Sequence, residues 1–452
     1  MLTFPKDFRW GVSTSAFQIE GAVHEDGRGE SIWDRFAHTP GKILNNDNAD
    51  VACDHHHRYA DDVKLIKDLG FKSYRFSIAW PRIIPTGRGP VNEKGLDFYR
   101  RLVDALLEND ILPNATLYHW DLPTALGGWE FRETAEAFAA YADIVTRRLG
   151  DRVKTWCTFN EPWCSSLLSY QRGEHAPGIK DPALALQVAH HILLAHGMAM
   201  PLIRANCPDG EAGIVLNILP SEPLTSSAAD YEAYRFHDGY FNRWFLDPLF
   251  GRRYPADTVA DYVKMGWLES AEPAYIQPGD FETISAPLDY IGVNYYERAV
   301  LRAVPGKEMQ TGEISVWKAP PEQMTEMKWE IYPDGLLSAL LAVYYDYRPP
   351  KIYVAENGAS YTDPIGPDGQ INDQRRIDYI DRHVRAVHRA IQAGVPMAGY
   401  YVWSLMDNFE WGNGYACTFG LVHVDYATQK RLPRASAYWY GEVTRRNGLE
   451  EK

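Results

Sequence analysis

Short apolar runs, each ending on polar or aromatic residues, alternate along this chain with longer stretches of helical period. Eight such runs can be counted, at 9–18, 73–80, 111–120, 154–161, 213–219, 290–296, 352–356 and 397–405. In the stretch EKGLDFYRRLVDALLEND, residues Leu96, Tyr99, Leu102, Val103 and Leu106 recur at three- and four-residue spacing and share one helical face. The stretch NDQRRIDYIDRHVRAVHRAIQAG opens on a capping Asn or Asp and closes on Gly, as helices do. Strands alternating with helices predict a parallel sheet flanked by helices. Eight repeats of the unit predict its closed form, an α/β fold of the (β/α)8 TIM-barrel type. No composition break or low-complexity linker divides the chain, so one domain is expected over residues 1–452. Long insertions follow the first run (20–54), the sixth (298–333) and the eighth (406–426). Loops of that length inside a domain are usually functional.

The ends of the runs carry the chemistry. Gln18 closes the first and Arg75 lies in the second. His119 and Trp120 close the third, and Asn160 and Glu161 the fourth. Asn217 is late in the fifth, Asn294 and Tyr296 close the sixth, Glu356 the seventh and Trp403 the eighth. In a barrel these ends converge on one face, where active sites are built. Any one of them could be a satisfied polar cap; together they call for a polar ligand. In the seventh run, IYVAENGAS, a lone carboxylate stands at the mouth of an apolar strand, and the following Asn-Gly predicts a turn that ends the strand there.

Composition narrows the partners. Hydrophobic residues make up 45%, enough for a large core, and 46 basic against 60 acidic residues give a net charge of −14. That balance argues against a nucleic-acid footprint and gives no reason for attraction to an anionic membrane. The five cysteines have no metal-type spacing and read as reduced thiols. The N-terminus MLTFPKDFRWG lacks a signal-type apolar stretch, and no segment approaches eighteen consecutive apolar residues. A cytoplasmic protein is expected. Asn114 heads an NAT triplet inside an apolar run, a poor glycosylation site. His55, His56 and His57 are consecutive, face different ways on a helix and cannot easily share a metal.

Two glutamates stand each beside an Asn, Glu161 in TFNEP and Glu356 in AENG. Two carboxylates across a cleft suit glycosidic bond cleavage, one protonating the leaving oxygen and the other attacking the sugar carbon or activating water. A divalent metal would want more oxygen or imidazole ligands nearby, so no metal and no cofactor are expected. Sugar hydroxyls need fixed donors and acceptors, which Gln18, His119, Asn160 and Glu410 can supply. A sugar's C–H face packs on an aromatic plate, for which Trp403 and Trp411 are candidates in WSLMDNFEWGNG.

Taken together, FRWGVSTSAFQIEG, YRFSIAWPRI, LYHWDLP, TFNEP, GVNYY, AENG and WSLMDNFEWGNGY resemble, in order and over nearly the whole chain, the motifs of glycoside hydrolase family 1, the β-glucosidase family. The resemblance implies a retaining exo-acting β-glycosidase acting on terminal β-D-glucosyl residues, with β-galactosides or β-fucosides tolerated. It implies Glu161 as acid/base and Glu356 as nucleophile, oriented by Arg75 and Tyr296. It implies Gln18, His119, Trp120, Asn160, Asn294, Tyr296, Trp403, Glu410, Trp411 and Phe419 as sugar-binding residues, and Trp163, Asn217 and Trp329 as walls of the leaving-group site. The expected partner is a β-glucoside or a short β-linked oligosaccharide.

Opposite pulls on the two carboxyls are expected. Arg75 and Tyr296 favour the anion of Glu356, whose charge in turn raises the pKa of Glu161. The family's usual TENG is AENG here, and alternation along a strand predicts that Ala355 faces away from the sugar. Three other readings remain. A 6-phospho-β-glycosidase would usually carry Ser with a nearby Lys and Tyr where this chain has NFEWGNGYACTFG, and Glu410 would repel a phosphate. A transglycosylase needs the same residues, with acceptor choice near Trp163 and Trp329. A catalytically silent sugar-binding barrel is disfavoured by the presence of both glutamates.

Overall fold

Eight parallel strands close into a barrel in the computed structural model, which describes residues 1–304 and 314–451. They are β1 (Arg9–Ser13), β2 (Ser73–Ser77), β3 (Leu112–Tyr118), β4 (Thr155–Asn160), β5 (Glu211–Asn217), β6 (Tyr290–Asn294), β7 (Ile352–Asn357) and β8 (Met397–Trp403). Each pairs with its neighbours in sequence, and β8 closes on β1 through Gly399–Arg9 to Trp403–Ser13. The expected (β/α)8 barrel is therefore the observed fold. Its strands are buried almost throughout because side chains fill one face and helices cover the other.

The interior is layered. At the floor, Arg9 on β1 reaches across the barrel to Thr155 Oγ1 at 2.6 Å and Glu211 Oε1 at 2.7 Å. Lys351 Nζ and the Tyr353 hydroxyl also donate to Glu211, each at 2.8 Å, so this buried carboxylate is fully paired. Tyr290, Tyr353 and Tyr401 pack as one cluster, and Cys157, Val215 and Ala355 as another. The second cluster corrects the expectation for Ala355. Its side chain meets residues of β4 and β5, which is possible only through the barrel interior, because β6 lies between β5 and β7. Gly292 on β6 leaves the room: a Cβ there would lie 2.4 Å from Val215 Cγ2 and 3.1 Å from Ala355 Cβ.

Strand ends also differ from the sequence expectation. β1 stops at Ser13, and Gln18 sits on a one-turn helix, Ala16–Ile19. Asn357 continues β7 rather than turning it. Its side chain donates to Tyr295 O at 2.6 Å and accepts from the Tyr400 hydroxyl at 2.6 Å. Gly358 is required for close approach, since a Cβ there would lie 1.7 Å from Trp403 O.

In the insertion after β6, Ala299–Ala303 pairs with Ile314–Val316 and with Ser221–Pro223 from beyond β5, forming a three-stranded sheet beside the barrel. Part of that insertion, 305–313, lies outside the described residues. The helix Pro182–Asn206 is long and apolar enough to cross a membrane by length and composition, although its apolar residues form no unbroken run. His190, His191 and His196 interrupt it, and 78% of its most apolar window is buried in the molecule.

The contact at Gly358 gives a stability test. Gly358→Ala forces β7 and β8 apart and should cost about 1–3 kcal/mol of unfolding free energy by urea denaturation. Gly412→Ala, with nothing within 4 Å of the added Cβ, should change it by less than about 0.5 kcal/mol.

Candidate active site

The strand ends open into a cavity of about 800 Å³. Its lining includes His119, Trp120, Asn160, Glu161, Trp163, Asn217, Asn294, Tyr296, Trp329, Glu356, Trp403, Glu410, Trp411 and Phe419. Of the residues expected there, Gln18 and Arg75 stand behind the wall.

Arg75, on β2, is 1% exposed and lies at the centre of the polar network. Its Nη1 donates to Glu356 Oε1 at 2.6 Å and its Nη2 to Asn160 Oδ1 at 2.6 Å. The Tyr296 hydroxyl donates to the other oxygen of Glu356 at 2.8 Å. Asn294 Nδ2 donates to Asn160 Oδ1 at 3.0 Å and to Glu161 Oε1 at 2.7 Å. With Oδ1 taken by two donors, Asn160 must present its Nδ2 to His119 Nε2, 3.2 Å away. Nε2 is then an acceptor, and His119 carries its proton on Nδ1. Burial, helped by the Arg75 charge, holds its pKa well below the usual range and keeps the ring neutral.

Glu161 follows β4 directly. Its backbone adopts φ +52°, and its N–H donates to Val215 O at 2.8 Å on β5. Trp120 (φ +82°) and Trp411 (φ +49°) share this left-handed region, which costs a non-glycine residue about 1 kcal/mol or more. Three strained residues in one cavity indicate positions held for their side chains.

Burial is the largest influence on Glu161, Glu356 and Glu410. It lifts Glu161 to about 7, with the charge of Glu356 second, so the effect expected from Glu356 is real but not the leading one. Glu410 is lifted to about 8 by burial and then by Glu356 and Glu161. Glu356 is also raised by burial, against the opposing pull of Arg75, Tyr296 and Asn294. Arg75 opposes the rise at Glu356 and, as the last of its influences, at Glu161, and the cavity favours one anion with protonated neighbours.

The aromatic walls divide in two. Trp411 packs on Trp120 at 4.4 Å, Trp33 at 4.5 Å and Phe17 at 5.9 Å, beside Trp403 and His119, whose rings stack at 5.8 Å. Trp329 lies 5.1 Å from Tyr296 and 5.9 Å from Phe419. Farther out, Trp163 stacks on Phe241 at 4.3 Å, with Arg172 over its ring at 5.1 Å. Gln18, fully buried, donates both amide hydrogens inward, to Asn408 Oδ1 at 2.9 Å and Phe409 O at 2.8 Å. Its Oε1 accepts from Ser15 and retains one lone pair.

Phe241, Glu297 and the contact of Cys164 with Glu161 were not foreseen. Phe241 comes from the connection between β5 and β6 with no local signal. Cys164 lies three residues after Glu161 in a helical turn, a spacing that could have paired them. Among the described residues no group of three or more His, Cys, Asp or Glu side chains could hold a metal ion. The three histidines pair instead with carboxylates: His55 with Asp62, His56 with Asp26, and His57 with Asp54 and Glu25.

The model of glycosyl hydrolase family 1 matches residues 1–449. The chain is 47% identical to Beta-glucosidase A of Acetivibrio thermocellus, over 99% of each sequence. It is 44% identical to the bifunctional beta-D-glucosidase/beta-D-fucosidase of Bifidobacterium breve, over 97% of each. Among solved structures, it superposes on the beta-glucosidase from Thermotoga maritima in complex with castanospermine with a TM-score of 0.94, at 44% identity and full coverage of both chains.

The raised carboxyls give a pH test. Groups whose folded pKa exceeds the unfolded value make the native state bind more protons, so stability falls as pH rises from about 4.5 through the folded values near 7 and 8. Glu410→Gln should therefore match the parent in urea unfolding at pH 5 and be more stable than it at pH 8.5.

Proposed function

Because the chain belongs to glycosyl hydrolase family 1, we propose that it is a retaining exo-acting β-glycosidase, chiefly a β-glucosidase, that hydrolyses terminal β-D-glycosyl residues by double displacement. The observation that carries the residue assignment is the unequal setting of Glu356 and Glu161 in one cavity. Glu356 is held by Arg75 and Tyr296 on its two oxygens, whereas among the described residues no cation lies within salt-bridge distance of Glu161, which is lifted to about 7. Such a split supports Glu356 as nucleophile and Glu161 as acid/base.

In the first step a Glu356 oxygen attacks the anomeric carbon and forms a covalent glycosyl ester. The bond from that carbon to the aglycone oxygen breaks, and the electron pair leaves with the oxygen, which takes the Glu161 proton. Bonding to sugar removes the negative charge of Glu356, so the pKa of Glu161 falls. Glu161 then accepts a proton from water as the water attacks the same carbon, freeing Glu356 and releasing the β-anomer.

The sugar is placed between Trp403, Trp411 and His119, with Glu410 and the free lone pair of Gln18 as hydroxyl partners. The aglycone extends toward Trp163, Phe241, Asn217 and Trp329. A cavity of about 800 Å³ exceeds one pyranose ring, so short β-linked glucans from cellulose are included as substrates. The name of the Bifidobacterium relative supports tolerance of β-fucosides. The whole chain is read as one catalytic domain, working in the cytoplasm; its five cysteines are all free thiols.

Following the first-formed anomer from a β-glucoside by NMR tests the stereochemistry. The β-anomer is expected, and initial release of the α-anomer would reject double displacement. Glu356→Ala should lower kcat by about 10⁴-fold or more on every substrate. Glu161→Ala should lower turnover by 10²–10⁴-fold on alkyl β-glucosides and far less on 2,4-dinitrophenyl β-glucoside, whose leaving group needs no proton.

A further inference from the structure

The Glu161 carboxyl has a second neighbour that the proposed mechanism does not use. Asn294 donates to Oε1, and the Cys164 thiol lies 3.1 Å from Oε2, close enough to donate to it. Asn217 Nδ2 approaches the same sulfur at 3.7 Å, within range of a donor to sulfur. The three side chains come from β6, the turn after β4 and the end of β5, so tertiary structure fixes the arrangement. The carboxyl thus has one donor per oxygen: an amide whose orientation is set by the Arg75 and Asn160 network, and a thiol that can rotate.

We propose that Cys164 is a positioning residue for the acid/base. Its S–H donates to Oε2 of Glu161 whenever that group is an anion. The sulfur turns to accept from Asn217 when Oε2 carries the proton destined for the leaving group. Asn294 keeps Oε1 an acceptor in both states, so the proton is confined to Oε2. Burial together with the Glu161 charge raises the thiol pKa well above its ordinary value, which keeps the hydrogen on sulfur at neutral pH. The other charged or titratable groups acting on Glu161 or on the thiol include Glu356, Glu410, Tyr240, Tyr296, Arg75 and Arg172. None of them is altered by changing Cys164.

The inference rests on the assignment of Glu161 as acid/base, and the test separates the two. The pH dependence of kcat/KM on an alkyl β-glucoside is measured for the parent, Cys164→Val, Cys164→Ala, Cys164→Ser and Glu161→Ala. Loss of the thiol donor destabilises the carboxylate, so the basic limb of Cys164→Val and Cys164→Ala should move up by about half a pH unit. The acid limb should stay in place, and Cys164→Ser should return the basic limb to the parent position. A merely packing role would lower activity without moving one limb alone. If the basic limb coincides in parent, Val and Ala variants, or if Ser behaves as Val does, the role of Cys164 is rejected while that of Glu161 stands. If Glu161→Ala retains the parent's basic limb, the acid/base assignment itself fails.

Discussion

The contact on which the site depends is the buried pair between Arg75 and Glu356. A guanidinium this far from water is tolerable only when it is paired with an anion, and its Nη1 donates to Glu356 and its Nη2 to Asn160. That single cation aligns elements from across the barrel. Through Asn160 it fixes the orientation of Asn294 and the tautomer of His119, and by pairing with Glu356 it leaves Glu161 and Glu410 without a salt-bridge partner among the described residues. The different protonation states that glycoside cleavage needs follow from the burial of these acids together with one cation bonded to Glu356.

The barrel accounts for how such a costly cluster persists. Its floor is sealed by Arg9, Lys351 and Tyr353 around Glu211, and above it lie tightly packed tyrosine and small-residue layers. Glycines at 292 and 358 let strands approach where any side chain would collide. Against that frame the left-handed backbones of Trp120, Glu161 and Trp411 can be held, and carboxyls can be kept above their usual pKa range. Stability is given up at the mouth of the barrel, where the chemistry requires it.

Much of this was legible in the sequence because it is written locally. Apolar runs ending on polar residues marked all eight strands, and the motifs around Glu161 and Glu356 identified the family. Boundaries were less legible. The run through Gln18 bends into a helical turn after Ser13, and β7 runs one residue past Glu356 before the Asn-Gly signal ends it, because Asn357 finds partners on Tyr295 and Tyr400. What the sequence could not give were contacts between distant segments. Ala355 faces inward beside Cys157 and Val215, where the β7 register shifts between Val354 and Glu356, Phe241 reaches Trp163 from a connection without a motif, and Gln18 gives both amide hydrogens to Asn408 and Phe409.

The central claim is that Glu356 becomes covalently bonded to the sugar while Glu161 does not. Incubation with 2,4-dinitrophenyl 2-deoxy-2-fluoro-β-D-glucoside should trap that ester, because the fluorine slows both steps and the activated leaving group restores only the first. Mass spectrometry of the peptic digest should then find one added fluoroglucosyl group, on the peptide containing IYVAENGAS and at Glu356. A label on the TFNEP peptide at Glu161, or hydrolysis of ordinary β-glucosides with no covalent adduct formed under these conditions, would contradict the account.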